Sequence, residues 1–150
     1  MKKLNKEKHM SKQYLQVVEF NREILGIGKR PISTLSQAEA DISYASLIEE
    51  CNEFLEAYKN DDFIGTVDAV IDLMYFAHGV LYKMGIDHGI YEKLFSSVHD
   101  ANMSKRLGVN TKRGNGEAAD AVKPDGWVSP ETRIANILSA IETQNMDYDS

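Results

Sequence analysis

The feature that most constrains this chain is an apolar stretch near its middle, Phe63–Tyr82, with the sequence FIGTVDAVIDLMYFAHGVLY. Apolar residues surround the whole circumference when the stretch is drawn as a helix, which predicts a helix buried inside a bundle. Its only formal charges are Asp68 and Asp72, four residues apart and therefore on one side of the helix. Two such carboxylates repel each other and are costly to desolvate, so the sequence predicts a cation beside them. Because the stretch contains neither lysine nor arginine, that cation is a divalent metal or a basic side chain from elsewhere.

Composition and charge limit the classes of protein to which the chain can belong. Its 150 residues suit one ordinary domain, and 43% hydrophobic with 27% charged residues is typical of a soluble globular protein. The net charge of −6 argues against binding to a nucleic-acid polymer or to a membrane surface. The basic first residues precede no apolar run, so no secretory signal is predicted, and two central aspartates disfavour a membrane span. The expected location is the cytoplasm.

Capping residues and glycines predict four core helices. The four run from Ser11 to about Gly26, from Ser36 to about Tyr58, from Asp61 or Asp62 to near Gly85, and from Asp87 to about Asn102. Ser36 and Glu39 have the spacing of a capping box. No period-two alternation is long enough for a sheet, so the predicted fold is an all-α helical bundle.

The last third of the chain has a different texture. Glycines and prolines at turn positions predict a long ordered loop over residues 106–130, with a short hairpin around Arg113–Glu117. Pro130 predicts the start of a short final helix. The predicted organisation is a flexible arm over residues 1–10, a single domain over residues 11–144 and a loose acidic tail over residues 145–150.

An acidic cluster precedes the central stretch. The run IEECNEFLEA places four glutamates within two helical turns: Glu49, Glu50, Glu53 and Glu56. Glu49, Glu53 and Glu56 share one face of the predicted helix, and Glu50 lies at the border of that face. The apolar residues lie on the opposite face, where Cys51 is predicted to be buried. A solvated acidic face is the simplest interpretation. Such a face usually carries lysine or arginine four residues on, and none is present here.

Antiparallel pairing of the second and third helices would bring the two acidic groups together. With the turn near Asn60–Asp62, Glu50 lies about ten residues before it and Asp72 about ten after it, so their heights match. Glu53 comes level with Asp68 in the same way. Oxygen ligands without cysteine or histidine suit a hard ion, Mg²⁺ or Mn²⁺.

Several motifs, in the same order over roughly residues 14–138, resemble a known family. They are LIEECNEFLEA, VDAVIDLMYFAHGVLYKMGID, VHDANMSKRLG and KPDGWVSPE. Together they resemble the MazG-like, all-α nucleoside triphosphate pyrophosphohydrolases, in particular the phosphoribosyl-ATP pyrophosphohydrolase-like branch. The family pattern EExxE is matched by Glu49, Glu50 and Glu53, and the aspartate of its ExxD by Asp72. Ala69 stands where ExxD has its glutamate, and Asp68, one residue earlier, is expected to substitute.

The resemblance implies an enzyme that cleaves a nucleoside triphosphate between its α and β phosphates, giving a monophosphate and pyrophosphate. Mg²⁺, or Mn²⁺, is then expected to be held by Glu50, Glu53, Asp68 and Asp72, where it neutralises the phosphate chain. Glu49 is the candidate catalytic residue that orients or deprotonates the attacking water.

The resemblance also implies a set of substrate-binding residues. Asn102 and Lys105 are similar to an NxxK pair of the family, and Lys123 to the lysine of its KPxGW element. Lysine suits phosphate as a mobile point charge, although a lysine at a helix end also stabilises the helix dipole. Trp127 is expected to anchor the loop by packing, with base stacking as the alternative.

Two hypotheses about partners follow. The family forms dimers or tetramers, and short apolar helices need a partner to cover them, so a homodimer or homotetramer is expected. The alternative function is non-enzymatic: a helical adaptor that presents the acidic face Glu49–Glu56 to a basic partner. That alternative leaves Asp68 and Asp72 in an apolar helix unexplained.

Overall fold

The computed structural model of the chain describes residues 11–109 and 119–148, with side chains described as far as residue 145. The described residues form five helices and a two-stranded antiparallel sheet, which confirms the all-α bundle with a C-terminal helix. The elements, in order, are α1 (Lys12–Glu23), α2 (Gln37–Lys59), α3 (Phe63–Lys83), α4 (His88–Met103), β1 (Arg106–Val109), β2 (Ala119–Val122) and α5 (Pro130–Tyr148). Two compact units divide the chain, Met1–His88 and Gly89–Ser150.

The first three helices begin at the capping residues that the sequence predicts. The Ser11 side chain accepts a hydrogen bond from the Tyr14 amide, and Ser36 and Glu39 form a complete capping box. Asp62, rather than Asp61, caps α3 by accepting from the Gly65 amide at 2.9 Å. Each cap satisfies a backbone N–H that has no partner within the helix.

A tight connection folds α2 back onto α3. Only residues 60–62 separate the two helices, and Asp61 has a φ of 55°. The Asp62 amide donates to the Ala57 carbonyl at 2.9 Å, which closes the turn. So short a link makes the two helices neighbours in a helical hairpin, called here the α2–α3 hairpin. Within this unit α3 also packs against α1.

The loop between α1 and α2 packs against the end of α3. The Ser33 amide donates to the Met84 carbonyl at 3.1 Å, and the Tyr82 hydroxyl donates to the Ile27 carbonyl at 2.8 Å. Gly85 has a φ of +80°, and a Cβ there would collide with the carbonyl oxygen of Pro31. The end of α3 therefore requires glycine on two grounds, the left-handed backbone and the close approach of the loop.

The expectation that α3 is buried on all sides is wrong for the isolated chain. Only Ala69, Gly79 and Tyr82 are buried along its length, and Phe63 is 79% exposed. The physical reason is that α1 and α2 cover two sides of α3 within the unit and leave a third side open. On that side runs an exposed apolar row with three- and four-residue spacing, the α3 stripe: Phe63, Val67 and Val70.

A second exposed row runs along α2. This α2 stripe has the same spacing and comprises Tyr44, Ile48, Cys51, Leu55 and Tyr58. The prediction that Cys51 is a buried apolar residue is therefore wrong: the apolar arc of α2 faces outward in the single chain. Exposed apolar rows of this length on one hairpin are unusual for a monomeric soluble protein.

In the described ranges, α3 is the one helix long and apolar enough to cross a membrane by length and composition. The core helix of a soluble protein meets the same criterion. Asp68 and Asp72 lie well inside its length, where ionised carboxylates are costly in lipid. The sequence-based expectation that α3 is not a membrane span stays a prediction.

The second unit contains α4, the β1–β2 pair and α5. Arg106 pairs with Val122 and Val109 with Ala119, so the prediction of no sheet is wrong for this short segment. Four-residue strands leave too little alternation to detect in the sequence. The predicted hairpin at residues 113–117 and the predicted arm at residues 1–10 lie outside the described residues.

The last helix is longer than predicted. It continues to Tyr148, beyond the expected end near residue 144. Pro130 begins it, as predicted, and Glu131 in its first turn complements the helix dipole. The division into a single domain with flanking arm and tail stays a prediction.

Candidate metal and phosphate sites

Glu50 is the central residue of the acidic cluster. It lies on the side of α2 that is covered within the chain and is only 7% exposed, whereas Glu49 and Glu53 on the same helix are exposed. One carboxylate oxygen of Glu50, Oε2, is buried without a hydrogen-bond partner. A buried acceptor in this state costs free energy unless a donor or a cation reaches it.

The electrostatics of Glu50 show which other carboxylates lie near it. Burial raises its pKa first, followed in decreasing order by the charges of Glu53, Asp72, Glu49 and Asp68. Two of these neighbours belong to α2 and two to α3. The α2–α3 hairpin thus brings all five predicted acidic residues into one electrostatic cluster, called here the carboxylate cluster.

The two aspartates of α3 differ in their surroundings. Asp72 is half-buried, but Asp68 is exposed, so the expectation that both lie in apolar surroundings is wrong for Asp68. Between them Ala69, at 2% exposure, is one of the most buried residues of the core. One helical step of 100° separates Asp68 from the position at which the family pattern has its glutamate. Asp68 accordingly contributes least among the four charges that act on Glu50.

The carboxylate cluster fits a hard divalent cation in its chemistry. Across residues 11–109 and 119–145, no lysine, arginine or histidine forms an ion pair with any of its five members. Oxygen-only donors and a buried oxygen without a partner are what Mg²⁺ or Mn²⁺ would satisfy. The described side chains do not themselves form a ready-made set of three or more metal ligands. The fit therefore rests on donor type, burial and proximity.

The predicted substrate-binding residues come together in the second unit. The Lys105 ammonium donates to Asn102 Oδ1 at 2.7 Å. Lys123 Nζ lies 4.6 Å from the centre of the Trp127 ring, and Lys105 Nζ lies 5.5 Å from it. Both distances are in the range of cation–π contacts. Lys105 and Lys123 thus contact one indole, and Asn102 is bonded to Lys105. These three residues and Trp127 are called here the ammonium–indole cluster.

Trp127 is held in place by its own backbone and side chain. Its indole N–H donates to the Ala101 carbonyl at 2.8 Å, and its amide donates to the Pro124 carbonyl at 3.1 Å. Gly126 supplies the positive φ of +74° that the intervening turn needs. These contacts support the prediction that Trp127 anchors the loop, and its half-buried ring also carries the two ammonium contacts.

A groove of about 550 Å³ lies between α1 and α3, and the sequence did not predict it. Its walls are mostly apolar and aromatic: Phe20, Ile24, Ile71, Met74, Tyr75 and His78. The rings of Phe20 and Tyr75 meet edge to face with centroids 5.6 Å apart. Burial lowers the pKa of His78, which favours the neutral imidazole. The sequence signal for this groove was that Phe20 and Ile24 on α1 could face an apolar row on α3. The same pattern is equally typical of a hydrophobic core.

Comparison with known protein families identifies a match over the central part of the chain. The sequence model of the phosphoribosyl-ATP pyrophosphohydrolase family matches residues 19–102, more than half of the chain. The matched part includes all of α2 and α3, and with them the whole carboxylate cluster. It ends at Asn102, before Lys105, Lys123 and Trp127. No curated protein matches the chain. The chain belongs to the phosphoribosyl-ATP pyrophosphohydrolase family, which implies that it is a pyrophosphohydrolase.

Proposed function

We propose that the protein is a metal-dependent nucleoside triphosphate pyrophosphohydrolase that cleaves between the α and β phosphates. The observation that carries the proposal is Glu50, a buried carboxylate whose Oε2 has no hydrogen-bond partner and which has four further carboxylates near it. The free energy of such an arrangement is unfavourable without a cation, and a magnesium nucleotide supplies one.

Glu50, Glu53, Asp68 and Asp72 would hold Mg²⁺, with Mn²⁺ as a chemically similar substitute. When bound, the ion supplies neutralisation of the phosphate chain and stabilises charge that develops during cleavage. Glu50 and Asp72 are the two less exposed members and would supply ligand oxygens that are already partly desolvated. Glu53 and Asp68 are exposed and would supply the further ligand oxygens.

Glu49 is the proposed catalytic residue. It precedes Glu50 on α2, is exposed, and lies close enough to influence the pKa of Glu50. Its carboxylate would accept a proton from the water whose oxygen attacks the α phosphorus. The α–β anhydride bond then breaks, and pyrophosphate leaves with the bonding electron pair.

The ammonium–indole cluster would bind phosphate oxygens. Lys105 and Lys123 each provide a positive charge, and Asn102 provides an amide that both donates and accepts. The hydrogen bond between Lys105 and Asn102 orients both side chains before a ligand arrives. Because the family match ends at Asn102, the support for the two lysines is their contact with one ring.

The protein is also proposed to be a cytoplasmic homodimer or homotetramer. The α2 stripe and the α3 stripe are exposed apolar rows on the same hairpin. Their three- and four-residue spacing is the pattern with which helices pack against one another. A second copy of the chain would bury both stripes in a self-complementary interface.

The adaptor alternative has one supporting observation. Glu49, Glu53 and Glu56 border a shallow depression on α2, as an acidic docking face would. A basic partner on that face does not account for the buried Glu50, nor for the nearby Asp72 on α3. The enzyme gives a role to Glu49, Glu50, Glu53 and Asp72, and leaves only Glu56 among these carboxylates without one.

A substrate screen tests the proposed function. The full chain is incubated with common and deoxynucleoside triphosphates and Mg²⁺ or Mn²⁺, and both pyrophosphate and monophosphate are measured. The proposal expects the two products in equal amounts, and none when a chelator replaces the metal. Release of orthophosphate with nucleoside diphosphate would contradict cleavage at the α–β bond. Metal-independent binding of a basic peptide without turnover would favour the adaptor.

A further inference from the structure

The α1–α3 groove has walls that suit a flat aromatic ligand. Phe20 and Tyr75 meet edge to face, and Ile24, Ile71 and Met74 add apolar surface around them. A volume of about 550 Å³ lies within the range of about 300–1,000 Å³ typical of small-molecule sites. Aromatic walls bind the faces of heterocyclic bases by stacking and edge contacts.

The polar residues of the groove determine which part of a nucleotide it can take. Gln13, Gln16, Glu19 and Glu23 supply amide and carboxylate groups along α1. Among the described residues that line the groove, none is lysine or arginine. Carboxylates repel phosphate but accept hydrogen bonds from N–H groups, so this lining excludes the phosphate chain and selects donors.

The groove and the carboxylate cluster share α3. Ile71 and Tyr75 line the groove, and Asp72 belongs to the cluster. At 100° per residue these three side chains lie within an arc of about 100° and one helical turn. A ligand in the groove therefore lies beside the acidic residues proposed to hold a magnesium–phosphate group.

We propose that the α1–α3 groove binds the nucleoside part of the substrate and favours a base with an exocyclic amino group. The inference rests on the proposed function and adds a substrate class to it. Adenine, cytosine and guanine present an amino group that Glu19 or Glu23 can accept from. Uracil and thymine offer a carboxylate only the ring N3–H, which lies between two carbonyl oxygens whose lone pairs would face the same carboxylate.

Methyl NMR on the full chain, labelled at the isoleucine δ1 methyl groups, tests the groove directly. Adenosine, cytidine and uridine are added without metal, so that no hydrolysis is involved. Ile24 and Ile71 line the groove, and their signals are expected to shift with adenosine or cytidine. The internal control is Ile42, which lies outside the groove. Its side chain is 64% exposed, close to the 70% of Ile24. Substitution of each isoleucine by valine assigns its signal.

Matched variants test the amino-group selectivity. The double variant Glu19→Gln and Glu23→Gln should weaken adenosine binding about threefold to tenfold, because charge-assisted hydrogen bonds are lost, and should not weaken uridine binding. Glu142→Gln on α5 removes an exposed carboxylate elsewhere and should change neither. Equal binding of uridine and adenosine by the unmodified chain would overturn the selectivity.

The outcomes separate this inference from the proposed function. Unchanged Ile24 and Ile71 signals, or equal shifts at Ile42, would overturn the groove assignment even if pyrophosphate is released. An unchanged groove is also the result expected if a second copy of the chain covers it. Specific shifts with no triphosphate cleavage would uphold nucleoside binding and overturn the hydrolase.

Discussion

Glu50 on α2 and Asp72 on α3 lie close enough for their charges to interact across the α2–α3 hairpin. After the burial of Glu50 and the charge of Glu53, Asp72 is the next cause that raises the pKa of Glu50. In the chain alone this arrangement opposes ionisation of a buried acid. Around a divalent cation the same arrangement is favourable. The carboxylates that destabilise the metal-free protein are therefore the ones proposed to bind the metal.

Glu50→Gln should separate these two effects. The neutral amide keeps the size of the side chain and removes repulsion, so the melting temperature without metal should rise. The stabilisation by Mg²⁺, about 2.7 kcal/mol at a hundred times the Kd for the unmodified protein, should be lost. Thermal unfolding with Mg²⁺ and with a chelator measures both changes.

The control for this variant is Glu56→Gln on the same helix. Glu56 is exposed, accepts a hydrogen bond from Asn60 at 3.0 Å, and is not a proposed ligand. Glutamine preserves that acceptor, so the Mg²⁺ effect should remain. If Glu50→Gln kept the full Mg²⁺ stabilisation, Glu50 would have no place in the metal site.

Asp72→Asn should reduce turnover more than Asp68→Asn. Asp72 is half-buried and acts more strongly on Glu50, whereas Asp68 is exposed and acts least. Loss of a well-fixed carboxylate that holds the metal at the reacting phosphates should lower kcat by a factor of about a hundred or more, and loss of an exposed one by less. Glu53→Ala should abolish turnover, because Glu53, although exposed, is the strongest of the four charges that act on Glu50, and circular dichroism should show that the helices persist.

Steady-state kinetics of the two asparagine variants at saturating Mg²⁺ measure this ranking. A larger loss of turnover for Asp68→Asn would show that Asp68 performs the role of the glutamate in the family pattern, where this chain has Ala69. Equal small losses would remove both aspartates from the site.

Trp127 should report phosphate binding by its fluorescence. It is the single tryptophan of the chain, and two ammonium groups lie 4.6 and 5.5 Å from its ring. Pyrophosphate that pairs with Lys105 and Lys123 would change the charge next to the indole and thereby its emission. Lys123→Met should weaken the titration about tenfold, because one charge-assisted contact is lost.

The matched control is Lys93→Met, an exposed lysine on α4 in the same unit. Its titration with pyrophosphate should equal that of the unmodified protein. If the two variants behaved alike, the ammonium–indole cluster would be a structural contact and not a phosphate site.

The sequence predicted the helices well because their ends are local. Ser11, Ser36 and Asp62 each bond to an amide within three residues, so the capping signal lies in the sequence itself. The pairing of Glu50 with Asp72 was also predictable, since a three-residue turn fixes the register of two helices. Both follow from spacing alone.

Burial was the part that the sequence did not predict. An apolar circumference shows that α3 avoids water, but not whether a neighbour in the same chain covers each side. The exposed Cys51 and Phe63 show this for the two stripes. The α1–α3 groove was not predicted for a related reason. Its walls come from helices far apart in sequence, and an apolar residue that lines a groove has the same sequence pattern as one in a core.

His78 should make the protein less stable as pH falls. Burial lowers its pKa from the ordinary value near 6.5, and its ring meets Tyr14 edge to face with centroids 5.4 Å apart. Between the lowered value and 6.5 the unfolded chain binds a proton that the folded chain does not. Stability is therefore highest above about pH 6.5 and declines as pH falls through the folded pKa of His78.

Urea unfolding from about pH 8 to about pH 5 measures this dependence. His78→Gln should flatten the decline, and His99→Gln, on the exposed side of α4, should not. A decline of the same size in all three proteins would assign the pH dependence to other groups.

Substitutions in the α3 stripe should dissociate the proposed oligomer. Val67→Glu or Val70→Glu places a charge in the middle of the exposed apolar row, where a second copy would have to desolvate it. Because both positions are exposed in the single chain, the helices should remain folded.

The matched control is Leu25→Glu, because Leu25 is also exposed and apolar but lies outside both stripes. Sedimentation velocity should show a dimer or tetramer for the unmodified chain and the control, and a monomer for the two stripe variants. If the unmodified chain sedimented as a monomer, the proposed self-association would be wrong and the stripes would have to contact a different partner.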